Sequence, residues 1–148
     1  MIVDLLRALR ASRLVKRDRD LESTWEIIWW WEARRIPFNI IVGVTGVVSS
    51  VAILIIAAVG ERAMPNAQVL PDPPIFLLVP VILFGVMANV CYTGGWIVEL
   101  LVKYAWPAEP NGFGTLSFTL GVVFAVLVTL LPIPLYGGLL LLVYVFEL

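Results

Sequence analysis

One short stretch of this chain concentrates polar side chains within an apolar run. Residues 88–99 read ANVCYTGGWIVE, in which Asn89 and Thr93 share one helical face while Tyr92 and Glu99 follow another at a spacing of seven. Amide, hydroxyl and carboxylate groups in an apolar medium need hydrogen-bond partners, since the medium supplies none. The stretch therefore predicts either a small polar pocket that binds a ligand, with Glu99 as its ionisable member, or hydrogen bonds between neighbouring helices.

The second of these alternatives gives Glu99 a choice of cationic partners. Lys103 lies one helical turn further on, and Arg34 and Arg35 lie together in an earlier segment of the chain. Either choice predicts that the carboxylate is paired within the protein.

The composition excludes most catalytic chemistry. The chain has no histidine, which removes the usual ligand for haem, zinc or copper, and its single cysteine, Cys91, allows no internal disulfide. It also lacks a glycine-rich phosphate loop and paired aspartates within an apolar run. We therefore expect no enzyme and no cofactor, while a structural lipid is compatible with the composition.

The medium around most of the chain is predicted to be lipid. Hydrophobic residues make up 61% of the 148, and the mean hydropathy is +0.98, which leaves too little polar surface to cover a soluble globule. Membrane lipids are therefore expected partners, and nucleic acid is not. The expected fold class is an all-α, polytopic integral membrane protein.

The apolar runs predict three full transmembrane helices and a short fourth. A span needs about 20 apolar residues, because each residue advances the helix by about 1.5 Å. Pro37 suits the first turn of the first span, and Pro132 with Pro134 interrupts the last apolar region. The predicted spans are 37–60, 75–98, 115–131 and a short 135–148, with residues 37–148 forming the helical bundle.

The last apolar region admits two interpretations. We favour a span, a turn at Pro132 and a short helix that returns over 135–148. The alternative is one kinked helix of more than about thirty residues, which would have to tilt or protrude.

The distribution of charge predicts the orientation. Eight of the ten Lys and Arg residues lie within the first 35 positions, whereas loop 61–74 holds one and loop 99–114 holds one. This bias places the N-terminus in the cytoplasm and the chain in the cytoplasmic (inner) membrane. The hairpin interpretation then returns the C-terminus towards the cytoplasm.

The first 36 residues are predicted to form cytoplasmic or interfacial amphipathic helices. Residues 2–16 combine an apolar set with a basic set at helical spacing, which is typical of a helix on an anionic membrane surface. A helix that packs on a partner, or on the core of this protein, carries the same pattern. The two sets are Ile2, Leu5, Leu6, Leu9 and Leu14, and Arg7, Arg10, Arg13 and Arg17.

A second helix is predicted to begin at Ser23, because Glu26 follows three residues later as in a capping box. Tryptophans and arginines just before the first span are typical of anchors in the headgroup layer. Consecutive tryptophans cannot share one helical face, however, so one side would then contact protein or an apolar ligand. The predicted anchors are Trp25, Trp29, Trp30, Trp31, Arg34 and Arg35.

The pair Gly94 and Gly95 is expected to break the second span. Residues 96–106 would then lie along the membrane interface, with Trp96 and Trp106 as further anchors.

Small residues that recur on one helical face, at spacings of three or four, predict where helices approach each other or another chain. Gly43, Gly46 and Ser50 form one such strip in the first span, and Ser117, Gly121 and Ala125 form another in the third. Together with the aromatic segment, these strips favour a non-catalytic subunit or scaffold of a larger membrane assembly, as a hetero- or homo-oligomer. The alternative is a homo-oligomeric channel or small-solute carrier with a path lined by Asn89, Thr93 and Glu99.

Overall fold

The computed structural model describes residues 23–64, 78–106 and 112–147, which are almost entirely helical and include no strand. The all-α prediction is confirmed for these ranges. The basic helix predicted over 2–16 and most of loop 61–74 lie outside them. Four helices are described: α1 (Thr24–Ala63), α2 (Leu78–Ala105), α3 (Phe113–Leu130) and α4 (Pro132–Glu147).

Three helical segments are long and apolar enough to cross a membrane: Thr24–Ala63, Val79–Ala105 and Phe113–Phe146. Each overlaps one of the three predicted full spans. Large apolar side chains cover the outside of these helices, among them Ile40, Val81 and Phe124 with exposed fractions of 60%, 55% and 68%. Such a surface suits hydrocarbon, so the prediction of a membrane protein stands on length, composition and surface together.

Helix α1 begins where the sequence predicts and continues further than expected. The backbone N–H of Ser23 donates to the Glu26 carboxylate over 3.2 Å, which is one half of the predicted capping box. Pro37 does not open the span, because it lies inside α1. The tryptophan segment and the first span are therefore one helix.

The predicted break at Gly94 and Gly95 is wrong. Helix α2 continues without interruption to Ala105. A glycine costs a helix about 1 kcal/mol relative to alanine, whereas unpaired backbone groups in an apolar medium cost several kcal/mol each. The continuous helix therefore has a lower free energy than a helix broken at Gly94 and Gly95.

The predicted returning hairpin after Pro132 is also wrong. Only Leu131 separates α3 from α4, and the backbone N–H of Leu135 still bonds the carbonyl of Leu131, as in a helix. The Cβ position of Gly46 in α1 lies 3.9 Å from Thr129, and that of Gly137 lies 3.9 Å from Ile56, ten residues further along α1. The chain therefore keeps its direction past Pro132, as in the alternative interpretation of one kinked helix.

The described helices contribute to two compact units, which differ in their buried residues. The first unit combines α1 up to Ile40 with residues from Met87 to Ala125, and its core is rich in large aromatic side chains. The second combines Ile41–Val86 with Val126–Leu148, and its buried residues include the small side chains of Ser49, Ala57 and Thr129.

Candidate functional site

The tryptophans of α1 divide between two faces of the helix. Trp25 and Trp29 lie one turn apart and are each 71% exposed, whereas Trp31 is 3% exposed. The interpretation in which one side of this segment contacts protein therefore describes Trp31. Anchoring in the headgroup layer stays a prediction for Trp25 and Trp29.

The central contact of the first unit joins α1 to α2. The indole Nε1 of Trp31 donates to Glu99 Oε2 over 2.7 Å, and Glu99 is as deeply buried as Trp31. A hydrogen bond to a carboxylate strengthens when water is excluded, so this pair fixes the two helices in register. The predicted pairing of Glu99 with Lys103, Arg34 or Arg35 stays a prediction beside this contact.

Tyr92 makes a second connection to the same tryptophan. Its hydroxyl donates to the backbone carbonyl of Trp31, and its ring packs edge to face against the indole with centroids 5.4 Å apart. The centroid of the Phe38 ring lies 4.6 Å from that of the Tyr92 ring. Tyr92 is therefore a helix-packing residue whose hydroxyl is used within the protein.

Phe118 brings the third helix into the cluster. Its ring makes edge contacts with Trp30 at 5.8 Å, Trp31 at 5.7 Å and Tyr92 at 6.3 Å. Each such pair contributes about 0.5–1.5 kcal/mol beyond the area buried. We call Trp31, Tyr92, Glu99 and Phe118 the aromatic–carboxylate cluster.

Gly95 leaves the space that the indole of Trp31 occupies. A Cβ atom at this position would lie 2.6 Å from Cη2 of Trp31 and 2.7 Å from Cζ3. The adjacent Gly94 has no neighbouring atom within 4 Å of its Cβ position among the described residues. The glycine pair therefore serves close packing rather than a break in the helix.

The two arginines predicted as anchors bind groups of the protein. Arg35 donates from Nη2 to Glu32 over 2.7 Å and to the hydroxyl of Thr93 over 3.1 Å. Arg34 stacks 4.0 Å over the ring of Trp30 and donates to the carbonyl of the same residue over 2.9 Å. Both side chains are partly exposed, so contact with lipid phosphate stays a prediction beside these bonds.

A pair of amides lies one helical turn from the contact between Arg35 and Thr93. Asn39 and Asn89 donate to each other, over 3.3 Å and 3.0 Å. The hydroxyl of Thr93 also donates to the carbonyl of Asn89 over 2.9 Å, which satisfies it within α2. The pair ties α1 to α2 near the cluster with two reciprocal bonds.

All four polar residues singled out in the second span therefore contact α1. Asn89 bonds Asn39, Thr93 accepts from Arg35, and Tyr92 and Glu99 bond Trp31. These contacts are the helix–helix hydrogen bonds of the second interpretation; binding of a ligand stays a prediction. Within the described ranges, no group of three or more Cys, Asp or Glu side chains could hold a metal ion.

The remaining predicted anchors lie in different environments. Trp106, just beyond the end of α2, is 68% exposed. Trp96 is partly buried, and its Nε1 atom has no acceptor among residues 23–64, 78–106 and 112–147. Trp96 is therefore partly covered by protein, and its position at the membrane interface stays a prediction.

The glycines of the two small-residue strips have different surroundings among the described residues. The Cβ positions of Gly43 and Gly121 have no neighbouring atom within 4 Å among the described residues, and Gly46 faces Thr129. Ser50 is exposed, Ser117 is partly buried, and Ala125 is buried. Gly43 and Gly121 therefore face open space on the outside of the chain.

The sequence singled out Tyr92, Glu99 and the tryptophans but missed Phe38 and Phe118. Both are phenylalanines within apolar runs, where nothing in composition or spacing distinguishes a residue that faces protein from one that faces lipid. The structure identifies Phe118 by its edge-to-face contacts with Trp30 and Trp31, and Phe38 by its contact with the ring of Tyr92.

Comparison with known proteins gives no protein-family model, no curated protein and no solved structure that matches this chain.

Proposed function

We propose that this protein is a small, non-catalytic integral membrane subunit or scaffold of a larger membrane assembly. The observation that carries the proposal is the open space at Gly43 and Gly121, on α1 and α3. Helices pack closely in membranes where glycine lets backbones approach, and neither glycine serves such a contact within the described chain. Each leaves a shallow strip that suits a helix of another chain.

The use of the polar side chains supports the same proposal. Tyr92 and Glu99 of α2 each form a hydrogen bond with Trp31 of α1, and Asn39 and Asn89 bond each other. Side chains that are committed to internal bonds stabilise a rigid scaffold, whereas a transport path needs groups that exchange partners with the solute. The channel alternative therefore has less support from these contacts than the subunit does.

The proposed location is the cytoplasmic (inner) membrane with the start of α1 on the cytoplasmic side. It is supported by the basic residues that precede the first span, eight of the ten in the chain. With three crossings, the end of α4 lies on the opposite side, because the chain keeps its direction past Pro132.

The test is native mass spectrometry of the protein extracted with its surrounding lipid. The proposal predicts one or more foreign membrane chains in fixed stoichiometry with the wild type. Gly43→Leu and Gly121→Leu should release them without unfolding the chain, because the new side chains enter open space. Val47→Leu is the matched control, since it enlarges an exposed residue of the same helix by one methylene group.

The outcomes separate the classes of function. Foreign chains that are lost in Gly43→Leu and kept in Val47→Leu support the subunit. A uniform homo-oligomer that conducts ions or solute would favour the channel instead. A monomer in every sample would overturn both.

A further inference from the structure

Asn39 of α1 has hydrogen-bonding capacity beyond its two bonds to Asn89. An asparagine amide offers two N–H donors and an oxygen that accepts two hydrogen bonds. Asn39 donates once to Asn89 and accepts once from it. Its second N–H and the second acceptor position of its oxygen have no partner among residues 23–64, 78–106 and 112–147. Because Asn39 is exposed, both are accessible to a group from outside these residues.

In a membrane-spanning α2, the amide pair lies within the hydrocarbon. The apolar segment Val79–Ala105 has 27 residues, which makes it about 40 Å long against a hydrocarbon thickness of about 30 Å. Asn89 lies ten residues, or about 15 Å, from Val79. Wherever about 30 Å of hydrocarbon falls along the segment, Asn89 is at least about 5 Å inside it. Asn39 shares this depth, because it bonds Asn89.

The exposed residues next to the amide pair are apolar. Ile36 and Ile40 lie on either side of Asn39 in α1, with exposed fractions of 70% and 60%, and Val90 follows Asn89 with 58%. These side chains offer neither a donor nor an acceptor, and lipid tails offer none. An amide N–H without an acceptor is costly in such a medium, so polar groups in membrane spans bond other helices. The remaining capacity of Asn39 therefore favours contact with a polar group of another chain.

The hydroxyl groups of this chain indicate which side chain suits the open amide best. Thr45, Thr93 and Thr119 each donate to the backbone carbonyl four residues earlier in their own helix. A serine or threonine of a neighbouring helix has the same acceptor within reach, and its only O–H is then committed. An asparagine or glutamine has two N–H donors, so it keeps a donor and an acceptor available together, as Asn39 and Asn89 do for each other.

We propose that Asn39 binds an asparagine or glutamine side chain on a transmembrane helix of a foreign subunit. The inference rests on the proposed function, since it names the chemistry of the helix expected at Gly43. Gly43 follows Asn39 by one turn along α1, so a helix that packs closely at the glycine also passes beside the amide. The second N–H of Asn39 donates to the partner's amide oxygen, and an N–H of the partner's amide donates to the oxygen of Asn39.

The test measures how tightly a leucine-rich transmembrane peptide binds the purified full chain in lipid vesicles, by fluorescence energy transfer. The peptide carries one glycine and, one turn away, either asparagine or leucine, and it is used in trace amounts so that it does not pair with itself. We expect the asparagine peptide to bind the wild type about tenfold more tightly than the leucine peptide. Asn39→Leu/Asn89→Leu removes both amides together and should bind the two peptides equally.

Three controls make the result specific. Thr45→Val removes a polar group of the same helix that already bonds its own backbone, so it should keep the tenfold preference. A peptide with serine in place of asparagine should bind the wild type much less tightly than the asparagine peptide. A cooperative unfolding transition shows that the double variant keeps its fold. The comparison of peptides on the wild type needs no variant, so it decides the proposal in either case.

Two results would overturn the proposal. One is equal binding of the asparagine and leucine peptides to the wild type, which would mean that water or a lipid group already satisfies Asn39. The other is association of the chain with a second copy, in the absence of peptide, that is lost in Asn39→Leu/Asn89→Leu. This second result would assign the open amide to contact between copies.

Native mass spectrometry separates failure of this inference from failure of the proposed function. We expect Asn39→Leu/Asn89→Leu to release foreign chains that Thr45→Val retains. Foreign chains that leave in Gly43→Leu but stay in the double variant would contradict the amide contact and keep the subunit. Foreign chains absent from the wild type would contradict the subunit, while the peptide comparison would still decide what Asn39 binds.

Discussion

The two compact units differ in the size of the side chains that they bury. The first unit buries large aromatic rings, of which Trp31, Tyr92 and Phe118 are at most 5% exposed, together with the carboxylate of Glu99. The second buries small residues, including Ala57 at 0% and Ser49 at 4%. Association of helices in lipid draws on close packing and hydrogen bonds, because lipid tails are as apolar as leucine. One unit uses directional bonds between large groups, and the other uses close approach of backbones.

The difference predicts opposite sensitivities. A core of interlocked rings fails when a side chain is removed, since a cavity and an unmatched polar group remain. A core of small residues fails when a side chain is added, since the helices must move apart. Substitutions of matched size in the two units measure this contrast directly.

The largest effect is expected from Trp31→Ala. It removes the indole between α1, α2 and α3 and the donor to Glu99, and we expect a loss of about 3–5 kcal/mol in the free energy of unfolding. The free energy of unfolding is measured in mixed micelles by steric trapping of the unfolded state. Trp31→Phe keeps most of the ring volume and should lose only about 1–3 kcal/mol with the hydrogen bond.

Trp29→Ala is the matched control for this prediction. Trp29 lies two residues away on the same helix and is 71% exposed, so its loss should change the free energy of unfolding by no more than about 0.5 kcal/mol. Equal effects at positions 29 and 31 would contradict the buried position of Trp31.

The second unit should respond most strongly to enlargement at Ala57. This residue is fully buried, so Ala57→Leu forces its neighbours apart and should cost about 2–3 kcal/mol. Ala58→Leu places the same side chain at an exposed position and should be close to neutral. If both variants unfold alike, close approach of helices is not what stabilises this unit.

Much of the fold could be predicted from the sequence, because hydrocarbon thickness imposes a length on every apolar run. The start of α1 at Ser23 and the three spanning segments follow from a capping pattern and from counting apolar residues. The predictions at Pro37, Gly94 and Pro132 were wrong because they relied on the local preferences of proline and glycine. Their local preferences cost a few kcal/mol at most, which an apolar medium outweighs by enforcing backbone hydrogen bonds.

The candidate site could be predicted only in part. Polar residues in an apolar run are conspicuous, so Tyr92 and Glu99 were identifiable, and their need for partners followed from the medium. Which partner each one takes depends on the rotation of α1 against α2, and one sequence does not encode that rotation in any periodic pattern. The choice of Trp31 for Glu99 therefore needed the structure.

The glycine pair of α2 offers a test with a change of one methyl group. Gly95→Ala places a Cβ 2.6 Å from the indole of Trp31 and should cost about 1–2 kcal/mol, because the ring is held on several sides. Gly94→Ala meets open space and should gain up to about 1 kcal/mol from helix propensity. Combining Gly95→Ala with Trp31→Phe should recover part of the loss; if it does not, the clash is not with this ring.

The smallest effect is expected from the amides that join the same two helices. Asn39 and Asn89 exchange two hydrogen bonds at a partly exposed position, where neighbouring groups compete and the bonds contribute little. A double-mutant cycle with Asn39→Ala and Asn89→Ala should give a coupling energy of about 0.6 kcal/mol, well below the contribution of the buried Trp31 contact. A coupling as large as about 2 kcal/mol would mean that the amides, rather than the aromatic–carboxylate cluster, set the register of α1 against α2.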